Sequence, residues 1–313
     1  MKVFLAGGSG QLGRELLATA PEDTLIEAPA RAELSITDPL GVARALEIAR
    51  PALVINAAAY TAVDNAESDR EAAFLVNAEG ARALAEGAAA VEARMIQVST
   101  DFVFDGEQSL PYLTTEPTHP LGVYGESKLA GEAAVLEVLP GNSLVVRTSW
   151  LYSSHGRNFV ATMLQLLAER PEVNVVMDQV GSPTWARGLA EAIWKWAAQP
   201  GVSGIRHFCD AGVASWYDFA VAIRDQASKL GLLGVTGASG ARTIVRPIRS
   251  EEFPTPARRP ASSTLNSFAS WEELGITPLH WRASLLQMLT ELKRSELPKS
   301  EPKESQLMEP SSA

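Results

Sequence analysis

Residues 2–16 read KVFLAGGSGQLGREL, and the reading of that stretch decides the fold. KVFLAG (2–7) is a short apolar run ending in glycine, and a helical pattern follows from about Gln11 to Thr19. Between them Gly7, Gly10 and Gly13 fall as G-x-x-G-x-x-G. Glycines permit a tight turn and let backbone approach a pyrophosphate, whose charge then sits on the positive end of the helix. Such spacing also occurs in plain structural turns, so the strand–turn–helix context carries the nucleotide reading.

Working outward, LIEAPA (25–30) reads as a weaker strand. Pro39 to Arg50 reads as a helix, with Asp38 at its N-cap and Pro39 at its first position. ALVINAAA (52–59) is a buried-strand pattern, and Asp69 to Val91 reads as one long Ala-rich helix. ARMIQVST (93–100) and SLVVRTSWLY (143–152) are further strands, and a helix opens between them inside PLGVYGESKLAGE (120–132). This alternation predicts an α/β fold with a doubly wound parallel sheet. Beyond it come a helix at 159–170, a strand at 173–179 and a Trp-bearing helix at 189–199. The last residues, 293–313, are rich in Pro, Ser and charge and read as a disordered tail.

Composition narrows the function. With 313 residues, 46% of them hydrophobic, the chain can bury one large core or two smaller ones. No run of about 18 uncharged apolar residues argues for a membrane span, and MKVFLAGGSG turns Gly-rich too soon for a secretory signal. The single cysteine, Cys209, excludes an internal disulfide framework and a CxxC metal site, and it suits a reducing cytoplasm. The four histidines lie far apart, and the net charge of −10 disfavours nucleic acid as a partner.

Three further segments bear on chemistry. APARAELSITD (28–38) follows the second strand, where an acid reads the ribose of NAD and an arginine accepts the 2′-phosphate of NADP. It offers Arg31 ahead of Glu33, a slight lean to NADPH, although Arg31 also reads as a solvated loop charge. VSTDFVFDG (98–106) ends a strand in Ser99, Thr100 and Asp101, at the edge where parallel sheets bind ligands; the competing reading is a cap for the next turn. In VYGESK (123–128), Tyr124 and Lys128 sit one helical turn apart. Five Tyr and seven Lys give roughly 0.1 such pairs by chance, so the spacing alone proves little. With Thr100, however, the pair forms a set suited to carbonyl reduction, in which a phenol protonates an alkoxide beside an ammonium.

Seven segments in order carry a resemblance: GGSGQLGREL (7–16), NAAAYTAVDNAE (56–67), STDFVFDG (99–106), YGESK (124–128), RTSWLY (147–152), DQVGSPT (178–184) and RRPASSTLN (258–266). The chain resembles the dTDP-4-dehydrorhamnose reductase family of extended short-chain dehydrogenases/reductases over about residues 1–292. The resemblance implies a Rossmann-type dinucleotide-binding domain at 1–150, with parts of 184–208 returning to it, and a smaller, mainly substrate-binding domain at 151–292. It implies NADPH or NADH as cofactor, a nucleotide-sugar substrate, Tyr124 as general acid, Lys128 as its partner and ribose clamp, and Thr100 orienting the 4-keto group. Gly7, Gly10, Gln11, Leu12, Arg31, Ser35, Ile36, Ala58, Ala59, Tyr60 and Ser99 would line the cofactor groove. Thr61, Val63, Asp101 and Phe102 would line the sugar site, with Phe102 standing where the family more often has Tyr, and Trp150 would pack near the sugar or the nicotinamide. Ser35 departs from the Leu-Asp-Ile-Thr-Asp that relatives often carry near the adenine.

Arg259 suits a diphosphate or a structural ion pair. Glu15 and Glu191 match carboxylates that hold Mg2+ at a homodimer interface in some members; otherwise they read as exposed helix-face carboxylates. Trp194 and Trp196 read as packing or interface groups. The implied reaction is reduction of dTDP-4-dehydro-L-rhamnose to dTDP-L-rhamnose. A related sugar-nucleotide reductase or epimerase is the alternative, and a non-catalytic subunit resembling the methionine adenosyltransferase beta subunit is the third. An intact Thr100, Tyr124 and Lys128 set argues against the last.

Overall fold

The computed structural model of the chain describes residues 1–233 and 243–296. Six strands form its central sheet: β1 (Lys2–Ala6), β2 (Leu25–Glu27), β3 (Leu53–Asn56), β4 (Arg94–Thr100), β5 (Ser143–Thr148) and β6 (Gly204–His207). Their spatial order is β2-β1-β3-β4-β5-β6, and every pairing is parallel. β3 and β5 are buried at every residue, which is why LVIN and SLVVRT lack a polar–apolar alternation.

Helices cover both faces because successive strand residues point to opposite sides. Val3 and Leu5 of β1 join the core under α1 (Gln11–Ala18), whereas Phe4 and Ala6 join the one under α2 (Pro39–Ala49) and α3 (Gly80–Ala90). The next helix, α4 (Val123–Val138), packs on that second face beside α3. A separate core gathers α5 (Phe159–Glu169), α7 (Trp216–Leu230) and α8 (Trp281–Glu296) around Phe219, Trp281 and Leu285. The helix between them in sequence, α6 (Ala186–Ala197), instead returns to the sheet and packs on α1. There Trp196 is fully buried and Trp194 Nε1 donates to Leu16 O at 3.1 Å, so both serve packing.

The elements differ from the expected ones at informative places. Asp38 caps α2 as expected, accepting from Gly41 N at 3.1 Å. The strand expected at 143–152 stops at Thr148, because Trp150 takes a left-handed φ of 46°. Leu151–Tyr152 then pairs with Thr184–Trp185 in a separate two-stranded sheet. The strand expected at 52–59 ends at Asn56 and the one at 25–30 ends at Glu27, which frees both exit loops. Glu172–Val176 pairs in parallel with Ile244–Ile248, close to the strand expected at 173–179. The long helix expected from Asp69 to Val91 forms continuously as Arg70–Phe74, a π turn at Leu75–Glu79, and α3, and the unexpected part is the π turn. Helix α8 continues to Glu296, four residues past the expected end at 292; the rest of the expected tail, 297–313, lies outside the described residues. Among the described residues no helix is long and apolar enough to cross a membrane.

Candidate active site

The strand order reverses between β1 and β3, and ligands enter parallel sheets beyond the carboxyl ends of the strands at such a point. A groove of about 750 Å³ lies there. It is walled by the turn after β1, the loop after β3, the ends of β4 and β5, and the first turns of α4. Gly7 has a φ of +84°, and a Cβ on it would sit 2.5 Å from Ala58 N. A Cβ on Gly13 would run into Gly7 O and Gly8 Cα. The turn, the β3 exit and α1 are thus pressed backbone to backbone, and Gly10 N closes the turn on Gly7 O at 3.0 Å. Gly10 also begins α1 without a side-chain cap. A helix start fronted by a side-chain-free cradle fits a dinucleotide pyrophosphate.

The remaining expected cofactor residues face the same groove. Gln11, Leu12, Arg31, Ser35, Ile36, Ala58, Ala59, Tyr60 and Ser99 all line it. Glu33 turns back instead, its carboxylate accepting from Ala30 N at 2.8 Å. Gln11 Oε1 accepts from Asn158 Nδ2 at 3.0 Å and so ties the glycine loop to the start of α5. The Ser99 hydroxyl is already engaged: it donates to Glu132. Asn77, in the π turn, was not singled out by sequence. Its side chain takes both the N–H and the C=O of Tyr60, at 2.8 and 3.1 Å, and donates to Ser127 Oγ at 3.0 Å. It therefore clamps the β3 exit loop to α4. A lone Asn in an Ala-rich stretch is its only mark in the sequence.

Tyr124, Lys128 and Thr100 meet at the floor of this groove. Helix α4 begins where Glu67 Oε1 accepts from Val123 N at 2.9 Å, which puts Tyr124 and Lys128 on its first two turns. Thr100, the last residue of β4, lines the groove with Tyr124 and acts on its phenol. Burial pushes that phenol up to about 12, with Thr100 opposing the rise, so it is fully protonated at neutral pH. Burial pulls the Lys128 ammonium down to about 8, against the opposing charge of Glu132. Its Nζ donates to Val98 O at 2.7 Å. Asp101 accepts from Thr100 Oγ1 at 3.1 Å, and burial raises its carboxyl to about 6. Phe102 stands edge-on to the Tyr124 ring, centroids 5.6 Å apart.

On the open side, Thr61, Val63 and Trp150 line the groove. Trp150 is stacked on Trp216, centroids 3.5 Å apart and planes 3° apart; nothing in the sequence pointed to Trp216. Gly181 of DQVGSPT makes room for the Trp150 indole, since a Cβ there would sit 2.5 Å from it. Arg259 lines the groove and pairs with Asp64 at 2.8 Å, so the ion pair is formed at the groove itself. Asp64 belongs to the 56–67 segment but was not singled out as Arg259's partner. Glu15 overturns the exposed-face expectation. It is 2% exposed on the side of α1 facing α6, where burial raises its carboxyl and Arg187 opposes that rise. Glu191 is exposed, and among the described residues no group of three or more His, Cys, Asp or Glu could hold a metal ion.

Comparison with known proteins agrees with this geometry. The family model described as the RmlD substrate binding domain matches residues 1–294. A dTDP-4-dehydrorhamnose reductase of Burkholderia thailandensis is 42% identical over 290 residues, covering 90% of this chain and 96% of its own. A probable dTDP-4,6-dihydroxy-2-methyloxan-3-one 4-ketoreductase of Streptomyces antibioticus is 41% identical, covering 95% and 98%. The crystal structure of a dTDP-4-dehydrorhamnose reductase from Bacillus anthracis in complex with NADP superposes with a TM-score of 0.85 at 34% identity, covering 93% of this chain and 99% of that one. The chain belongs to the RmlD family, that of the dTDP-4-dehydrorhamnose reductases.

Proposed function

We propose that the chain reduces the 4-keto group of dTDP-4-dehydro-L-rhamnose to give dTDP-L-rhamnose, with NADPH or NADH as reductant. The observation that carries this is the meeting of Thr100, Tyr124 and Lys128 in one nucleotide-sized groove. In this reading Gly7, Gly10, Gln11 and Leu12 hold the pyrophosphate, Ser35 and Ile36 flank the adenine, and Ala58, Ala59 and Tyr60 form the nicotinamide-side wall. Residues 1–150 with 184–208 then serve the cofactor and 151–292 mainly the sugar. Arg31 lines the groove while the Glu33 carboxylate turns away, which favours the 2′-phosphate of NADPH.

The bound nicotinamide supplies the hydride that adds to the substrate's C4. The chain's own task is to place the ketone and deliver one proton. Thr100 orients the 4-keto oxygen, and Tyr124 donates its phenolic proton to that oxygen as charge builds on it. The Lys128 ammonium offsets the phenolate that remains and holds the ribose. Thr61, Val63, Phe102 and Trp150 enclose the sugar, Asp101 backs it through Thr100, and Arg259, steadied by Asp64, meets the diphosphate.

A second reading shares every step and changes only the sugar. It is favoured by the Streptomyces antibioticus relative, which is as similar to this chain as the rhamnose reductase is and carries another 4-ketoreductase name. The test is oxidation of NADPH and NADH, followed at 340 nm, with a panel of dTDP-4-keto-hexoses. The highest kcat/KM is expected for dTDP-4-dehydro-L-rhamnose. Faster turnover of another 4-keto sugar selects the second reading, and no turnover of any rejects the reductase.

A further inference from the structure

Behind the groove lies a buried polar cluster that the reaction as described leaves unused. Tyr124, Lys128 and Glu132 follow one another at four-residue steps on α4 and so share a face of the helix. Glu132 is 2% exposed. Its carboxylate accepts from the Ser99 hydroxyl of β4 and from Arg147 of β5, with Nε at 2.9 Å and Nη2 at 2.6 Å. Ser99 follows Val98, whose carbonyl takes the Lys128 ammonium. The catalytic helix is thus fastened to two consecutive residues of β4, just before Thr100, and to β5 one residue before Thr148.

We propose that Glu132 is a positioning residue of the reduction, keeping the Lys128 ammonium charged in its dry site and seating α4 against the ends of β4 and β5. This rests on the reductase reading. A buried ion pair is a poor device for stability alone, since an apolar pair of similar volume commonly does as well or better. Here the pair sits one turn behind a buried lysine that the chemistry needs charged. The titratable groups linked to this cluster are Tyr124 and Glu132 on the lysine's own helix, Arg147 on β5 bound to Glu132, His207 on β6 beside Arg147, and Asp101 after β4 beside Tyr124. Glu132 is the carboxylate whose field reaches the ammonium, whereas Asp101 acts on the Tyr124 phenol. His207 stays neutral, driven down to about 3 by burial and by the Arg147 charge. Glu132 therefore sits between two buried cations, Arg147 and Lys128, and holds the first by hydrogen bonds and the second by charge.

The test reads the ammonium itself. The pH dependence of kcat/KM, and separately that of NADPH binding followed by fluorescence, are measured for wild type, Glu132→Gln and Glu132→Asp. Removing an opposite charge at this range moves the alkaline limb down by about 1 pH unit or more, in both readouts. Glu132→Asp retains the charge and should keep the wild-type limb while losing rate. Glu132→Gln strands the Arg147 charge and can fail to fold. The double variant Glu132→Gln/Arg147→Met removes both buried charges, and its limb should also move down. Folded variants that lose activity evenly across pH, with the wild-type limb in both profiles, overturn the proposal. Wild type inert toward every 4-keto sugar would overturn the reductase reading instead, and the NADPH-binding profile would still decide the role of Glu132.

Discussion

Gly181→Ala adds one methyl group to a wall of the groove, and its effect can be worked from distances. The new Cβ would sit 2.5 Å from Cε2 and Nε1 of Trp150 and 2.9 Å from Cζ2. Carbon–carbon contacts settle near 3.5–4.0 Å, so the indole has to retreat by about 1 Å. It has little freedom to do so. Its other neighbour is Trp216, stacked at 3.5 Å and itself tilted against Phe159 at 4.6 Å. The Trp150 backbone is already held at a φ of 46°, and Gly181 is pinned in a short strand paired with Ala214. Overpacking of this kind costs about 1–3 kcal/mol of stability. Displacing a substrate wall by about 1 Å can lower kcat/KM by up to about 100-fold. Steady-state kinetics should show that loss mainly as a raised KM for the sugar nucleotide, with NADPH affinity unchanged. Near-UV circular dichroism should report the disturbed tryptophan stack. A kcat/KM within twofold of wild type, with an unaltered near-UV spectrum, would refute the argument.

Tyr124→Phe should lower kcat by about 10²–10⁴-fold while NADPH affinity, measured by fluorescence titration, stays within about threefold. Full activity would remove the phenol from the chemistry. Arg31→Gln should weaken NADPH by about tenfold, equivalent to about 1.4 kcal/mol, and leave NADH unchanged; equal losses for both would assign Arg31 to the loop alone. His207 has a pKa of about 3 in the fold against 6.5 in the unfolded chain. Between those values the unfolded state takes up the proton, so the stability His207 confers is present above pH 6.5 and lost as pH falls through that window. At pH 5 the loss is about 2 kcal/mol. Asp101 and Asp210, raised to about 6 and about 7, act in the opposite direction. The comparison with His207→Gln isolates the histidine. Urea unfolding should show wild type losing about 2 kcal/mol relative to the variant between pH 7 and pH 5. A difference that does not change with pH would contradict this.

What could be read from the sequence was what local chemistry specifies. The β1–turn–α1 unit was legible because an apolar run, glycines and a helical pattern meet within fifteen residues. The Tyr124–Lys128 pair was legible because a helix turns once in about four. β6 was not, since GIRH carries a single aliphatic residue and becomes a strand only by pairing with the fully buried β5. The break at Trp150 was hidden because no residue type marks a tryptophan that will take a positive φ. The π turn at Leu75–Glu79 was hidden likewise, although it sets the Asn77 clamp on Tyr60. Glu15 was misplaced because it sits on the side of α1 that a helix 170 residues later comes back to cover. Trp216 starts a helix capped by Ser215 with Asp218, and its stacking on Trp150 depends on how two distant segments approach.

Burial drives the two central groups in opposite directions, and the direction of each suits reduction. A phenol near 12 is ionised in only about one molecule in 10⁵ at pH 7, so Tyr124 waits with its proton in place. A donor must also tolerate losing that proton, and in the proposed mechanism the Lys128 ammonium, one helical turn along α4, offsets the phenolate that remains. The ammonium is the weaker member, because at about 8 it is the group that titrates near working pH. The alkaline limb of reduction should therefore follow Lys128 and fall well below the phenol's own value. The overall equilibrium belongs to substrate and cofactor; what the chain sets is which proton is loaded before they meet. A desolvated tyrosine has to be paired with a lysine kept charged, and Glu132, one turn further along α4, is placed to keep it so.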